Sequence, residues 1–119
     1  MKRALLLLVG LALAQGCRYS VDDIPSAPAN PTFSHDILAL LADHCLLCHS
    51  APPARGAPDV LRLDVYADTG GIKGAKSEAQ RMLIRVQTDT MPPGAGTGDG
   101  LGPNGRQALQ NWVDTGTPE

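Results

Sequence analysis

The side chains with the clearest chemistry are Cys45, Cys48 and His49, in the run Cys45-Leu46-Leu47-Cys48-His49. Two thiols three positions apart face one side of a helical turn, and an imidazole follows directly. That spacing suits covalent attachment of haem c: the thiols add to its two vinyl groups and His49 turns its ring beneath the iron. Three other chemistries compete. A redox dithiol uses the same cysteine spacing but sits beside a βαβ pattern, which the sequence lacks. A structural zinc site could recruit Cys45, Cys48, His49 and His44, but usually draws on a second, separated ligand pair. A plain disulfide between the two cysteines would leave His49 without a role.

A haem iron held by His49 has a sixth position to fill. Met91 is the foremost candidate, 42 positions on. A thioether is a soft ligand, and His/Met ligation raises the haem potential. Pro92 and Pro93 restrict the backbone just after it, so little loop entropy remains to be lost. Met82 competes, but its place on an apolar helix face suits core filling. His44 directly precedes the motif and is poorly placed to reach the opposite haem face, and His35 near a helix start suits solvent. The haem propionates need donors, for which Arg85, Arg62 and Tyr66 are candidates. Leu61 and Leu63 are candidates to pack on the porphyrin face.

Three helices must position these groups. The first is expected from His35 to Cys45, capped by Ser34, with Ile37, Leu38, Leu40 and Leu41 as its apolar stripe. The second is expected from Glu78 to Gln87, with Ser77 and Gln80 at capping-box spacing and Met82, Leu83 and Val86 on one face. The third is expected from Gly105 to Asp114, capped by Asn104 and stopped by Gly116 and Pro118. Its buried side is Ala108, Leu109, Trp112 and Val113, and the Trp112 indole N–H requires an acceptor. Loops rich in glycine and proline separate the helices at 51–58, 69–74 and 91–103. Leu61, Leu63 and Val65 alternate with polar residues and suggest a short extended segment. The fold class is therefore all-α, with long Gly/Pro-rich loops.

From about Phe33 to Glu119 the chain resembles a class I cytochrome c domain. The resemblance rests on the helix leading into Cys45-Leu46-Leu47-Cys48-His49, then Leu61-Arg62-Leu63-Asp64, Met91-Pro92-Pro93-Gly94, and a last helix with Trp112. It is particularly similar to small cytochrome domains of exported bacterial proteins with a Met-Pro-Pro-Gly loop. The resemblance implies three main helices around haem, with the first and last crossing. It also implies Met91 as the distal ligand and electron transfer between redox partner proteins as the task.

The amino terminus sets the location. Met1-Lys2-Arg3 is basic and the apolar run 4–14 follows, about 16 Å as a helix against a hydrocarbon core of ~30 Å. It therefore reads as a signal segment rather than a membrane span. Leu13-Ala14-Gln15-Gly16-Cys17 resembles a bacterial lipoprotein signal, with Ala14 where that family usually has Leu. This implies a signal peptide over 1–16 and a lipid on Cys17. Pro25, Pro28 and Pro31 make 17–32 a tether to the domain at 33–119. Export places the domain on the periplasmic side of a bacterial membrane, and Arg18 after Cys17 points to the outer membrane.

Composition agrees. The chain has 119 residues, 3% of them aromatic, so a small core would profit from a flat apolar cofactor. Loss of Lys2 and Arg3 with the signal leaves 8 basic against 12 acidic residues and a net charge of −4. That charge offers no footprint for nucleic acid and steers the domain toward basic partners. No acid–base pair or activated nucleophile emerges, so a carrier is expected rather than an enzyme, and a monomer. The rivals are a haem sensor or peroxidase-like protein with an open sixth position, and a zinc- or disulfide-stabilised surface lipoprotein. A calcium reading of Gly98-Asp99-Gly100 lacks further carboxylates.

Overall fold

The first helix begins two residues before its expected start, because Phe33 is drawn into the core. The computed structural model describes residues 23–93 and 100–119. The readings of the signal segment, the Cys17 lipid and the 94–99 glycine loop lie outside the described residues. A π-helical turn at Phe33–Ile37 leads into α1, Leu38–His44. Thr32 rather than Ser34 is the cap. Its hydroxyl accepts from the His35 amide at 3.4 Å, and the Asp36 carboxylate accepts from the Thr32 amide at 2.9 Å. This reciprocal arrangement satisfies two helix-end donors. It also holds the Asp36 carboxyl below its ordinary pKa, the Thr32 amide contributing most and His35 next.

Helix α2 spans Ala75–Gln87, three residues longer at its start than the local spacing predicts. Its first amides find long-range acceptors: Ala75 donates to Val65 O at 2.8 Å and Lys76 to Tyr66 O at 3.0 Å. Asp68 braces the turn before it, accepting from the Gly74 amide at 2.9 Å, the Ser77 hydroxyl and Lys73 Nζ. Ser77 therefore serves Asp68 rather than a capping box. Ala75, Glu78, Ala79, Leu83 and Val86 form the buried face, with Met82 partly buried at its margin.

Helix α3 spans Pro103–Asp114, with Pro103 in its first turn where a missing N–H costs nothing. Its cap comes from far away. The Asp23 carboxylate accepts from the Asn104 and Gly105 amides, each at 3.0 Å. A Cβ at position 102 would overlap that carboxyl, so Gly102 admits it. Asn104 instead donates its side-chain amide to Ile24 O at 2.9 Å. The far end closes as a Schellman motif around Gly116 at φ +87, with Thr117 N on Trp112 O and Gly116 N on Val113 O.

Three helices and no named strand among the described residues make this an all-α domain. The extended segment anticipated at 61–65 is reduced to an isolated bridge between Leu61 and Lys73. Phe33, Ile37, Leu40 and Leu41 meet Leu83 and Val86 of α2 and Ala108, Leu109 and Trp112 of α3 in one core. α3 packs on both α2 and the π-helical turn. Residues 23–32, anticipated as part of the tether, lie against α3. Ile24 and Ala27 pack on the core, Pro31 is fully buried, and Asn111 holds Pro28 O at 2.8 Å.

Candidate functional site

Helix α1 ends where the cysteine motif begins, and the motif is wound into a turn by its own backbone. Cys45 occupies the C-cap, its amide donating to Leu41 O at 2.7 Å. The Cys45 carbonyl then accepts from both the Cys48 amide at 3.1 Å and the His49 amide at 2.9 Å. Ser50 Oγ donates to Leu46 O at 2.6 Å, and the Ala54 amide to Cys48 O at 3.1 Å. Two cysteines and a histidine are thus held by one short, closed piece of backbone.

Both cysteines are free thiols, so no disulfide joins them. Burial foremost, and the neighbouring Cys48 next, push the Cys45 thiol up to about 12. Cys45 therefore stays in its thiol form near neutral pH. Among the described residues no three His, Cys, Asp or Glu side chains gather to hold a metal ion. The zinc rival, with His44 as a further ligand, therefore lacks its ligand cluster there.

His49 is half-buried, and burial lowers its pKa, favouring the neutral ring that ligates metals. Its Nδ1 is buried with no hydrogen-bond partner, the one such side-chain atom among the described residues. A polar atom left in that state costs about 1–3 kcal/mol. The His49 carbonyl accepts from the Leu63 amide at 2.8 Å, which brings the 61–63 segment against the motif. Leu63 is buried and Leu61 half-buried.

Met91 and Arg85 form a second group at the C-terminal end of α2. The Arg85 carbonyl accepts from the Thr90 amide at 2.9 Å and the Met91 amide at 3.2 Å. Met91 is 39% exposed. No hydrogen bond among the described residues joins this group to the Cys45–His49 turn. Of the three propionate donors anticipated, Arg62 is occupied by Asp64, with Nε to Oδ1 at 3.0 Å. Tyr66 gives its hydroxyl to Thr117 O at 2.7 Å. Arg85 is the exposed one.

The remaining candidates fall where packing sends them. Met82 rests against the core, and exposed His35 pairs with Asp36 at 3.1 Å. Trp112 is fully buried, its indole N–H on Pro118 O at 2.8 Å. Sequence reasoning missed Asp23 and Arg106: Asp23 grips backbone amides, and two of the three Arg106 recipients are backbone carbonyls. An acidic residue 81 positions from the helix it caps leaves no local signal.

Comparison adds no relative to these observations. No protein-family model, no curated protein and no solved structure matches the chain.

Proposed function

We propose that the chain is a one-electron carrier with a cytochrome c-like fold, holding one haem c through Cys45 and Cys48. His49 and Met91 are its axial ligands. In this reading Cys17 carries a lipid that keeps the domain, as a monomer, on the periplasmic side of the outer membrane, where it meets redox partner proteins. The observation that carries the reading is the Cys45–His49 turn: two free thiols on one closed stretch of backbone with a half-buried imidazole whose Nδ1 has no partner.

The residues present fit such a group. Cys45 and Cys48 are free to form thioethers, and a covalent hold keeps the cofactor through local opening. Haem supplies single-electron exchange at iron. The chain supplies a neutral imidazole at His49, a soft thioether at Met91, and apolar surface at Leu61 and Leu63 that excludes water. Arg85, exposed beside the Met91 segment, offers a guanidinium fork to a propionate. The net charge of −4 without the signal favours a basic partner surface.

The test is an absorption spectrum of the full chain exported alongside haem-attachment machinery, then unfolded and extracted with acidified solvent. The expected result is a haem spectrum that stays with the polypeptide and is lost when both Cys45 and Cys48 are changed to Ser. A colourless protein, or haem that washes out, overturns the reading. A second reading draws on the 39% exposure of Met91: a sensor or peroxidase-like protein with an open sixth position. Rapid carbon monoxide binding to the intact ferrous protein would favour it over the carrier.

A further inference from the structure

The Arg106 guanidinium projects from α3 and reaches three recipients in different directions. Nη1 donates to Val86 O at 2.7 Å, Nε donates to Leu101 O at 3.0 Å, and Nη2 pairs with the Asp89 carboxylate. Val86 O belongs to the last turn of α2, where carbonyls lack helical partners. Asp89 stands two residues before Met91 and Leu101 ten after it. The backbone of Asp89 is left-handed at φ +54, which few residues other than glycine adopt and Asp tolerates.

The same stretch is fastened from the α2 side. Thr90 N and Met91 N both donate to Arg85 O, and the Thr90 hydroxyl reaches that carbonyl at 3.2 Å. Met91 thus hangs between the end of α2 and a residue of α3 that grips the chain on both flanks. Only Arg has donors in a rigid fork able to serve three separated acceptors; a Lys ammonium could satisfy one or two. The side chain is 32% exposed, so much of the fork is withdrawn from competing water.

We propose that Arg106 is the positioning residue that keeps Met91 at the axial site, an inference that rests on the reading of Met91 as ligand. It does not touch the reacting atoms. It acts by lowering the fraction of molecules in which Met91 has swung away. That fraction is measurable, because an added ligand binds only when the position is free, and its apparent affinity scales with the free population.

The experiment uses the full-length haem-loaded protein in its ferric form and titrates it with imidazole, while following the weak far-red methionine–iron band. Arg106→Ala is expected to tighten imidazole binding about tenfold, as a tenfold rise in the free population requires, and to weaken the band. Arg106→Lys should fall between that variant and the parent. Asp89→Asn, which removes one charged recipient, should move both readouts the same way and less. Arg81→Ala is the control: it breaks a 3.2 Å pair with Glu78 on α2 and should leave both unchanged.

Parental imidazole affinity and band in Arg106→Ala, whatever happens to its melting temperature, overturn the assignment. If Arg106→Ala does not fold, unchanged readouts in both Arg106→Lys and Asp89→Asn overturn it as well. Met91→Ala separates the two levels. If it retains the band and the parental affinity, Met91 is not the ligand, and this inference falls together with the reading beneath it. A band lost in Met91→Ala but intact in the Arg106 and Asp89 variants removes only the role given to Arg106.

Discussion

Phe33, Tyr66 and Trp112 gather against the carboxy-terminal backbone, with ring centroids 5.5 Å (Phe33–Tyr66) and 6.1 Å (Phe33–Trp112) apart, and that backbone meets their polar atoms. Trp112 and the Phe33 amide share Pro118 O, and Tyr66 takes Thr117 O. The Cys45–His49 turn has the reverse character. Its backbone is closed by hydrogen bonds, yet His49 Nδ1 is buried without a partner and Leu47 stands 67% exposed. The first region is finished by its own side chains. The second is ordered in backbone, but its buried ring nitrogen meets no side chain or carbonyl among the described residues.

That contrast can be broken at its strong end. Trp112→Ala deletes a fully buried indole and its bond to Pro118 O. It should cost about 3–5 kcal/mol, read as a lowered denaturation midpoint in urea. A loss below ~1 kcal/mol would mean that the aromatic end does not anchor the core. A middling effect is expected where Asp23 meets the first turn of α3. Asp23→Ala removes the cap of α3 and should cost about 0.5–2 kcal/mol in the same assay. An unchanged midpoint would show that the Asp23 carboxylate adds nothing to the stability of α3. The smallest effect belongs to the other region. Leu47→Ser alters an exposed side chain within the cysteine motif and should stay within about 0.5 kcal/mol of the parent. A large loss there would erase the distinction between the regions.

The interiors of all three helices are legible from the chain because apolar residues recur three and four apart, as at Ile37, Leu40 and Leu41 or at Ala108, Leu109 and Trp112. Their beginnings are not. Each starts two or three residues early, at groups a local pattern cannot contain: the buried ring of Phe33, the carbonyls of Val65 and Tyr66, the carboxylate of Asp23. The cysteine–histidine cluster is legible because its members are contiguous. Arg106 is not, since two of its three recipients are backbone carbonyls and any residue type carries one. Arg62 and Tyr66 look like free donors in the sequence because Asp64 and Thr117 O claim them only once the chain has folded.

The Asp23 clasp on α3 also has a consequence for timing. Its partners, Asn104 and Gly105, lie more than eighty residues further along the chain, and Phe33 likewise waits for Pro118. Contacts of such long sequence separation are slow to form, since the intervening loop must close before they repay it. On sequence separation alone, the contacts that join the ends of the domain are expected to form after the local ones. Chemistry at Cys45, half-buried in the folded domain, is most accessible before those last contacts close.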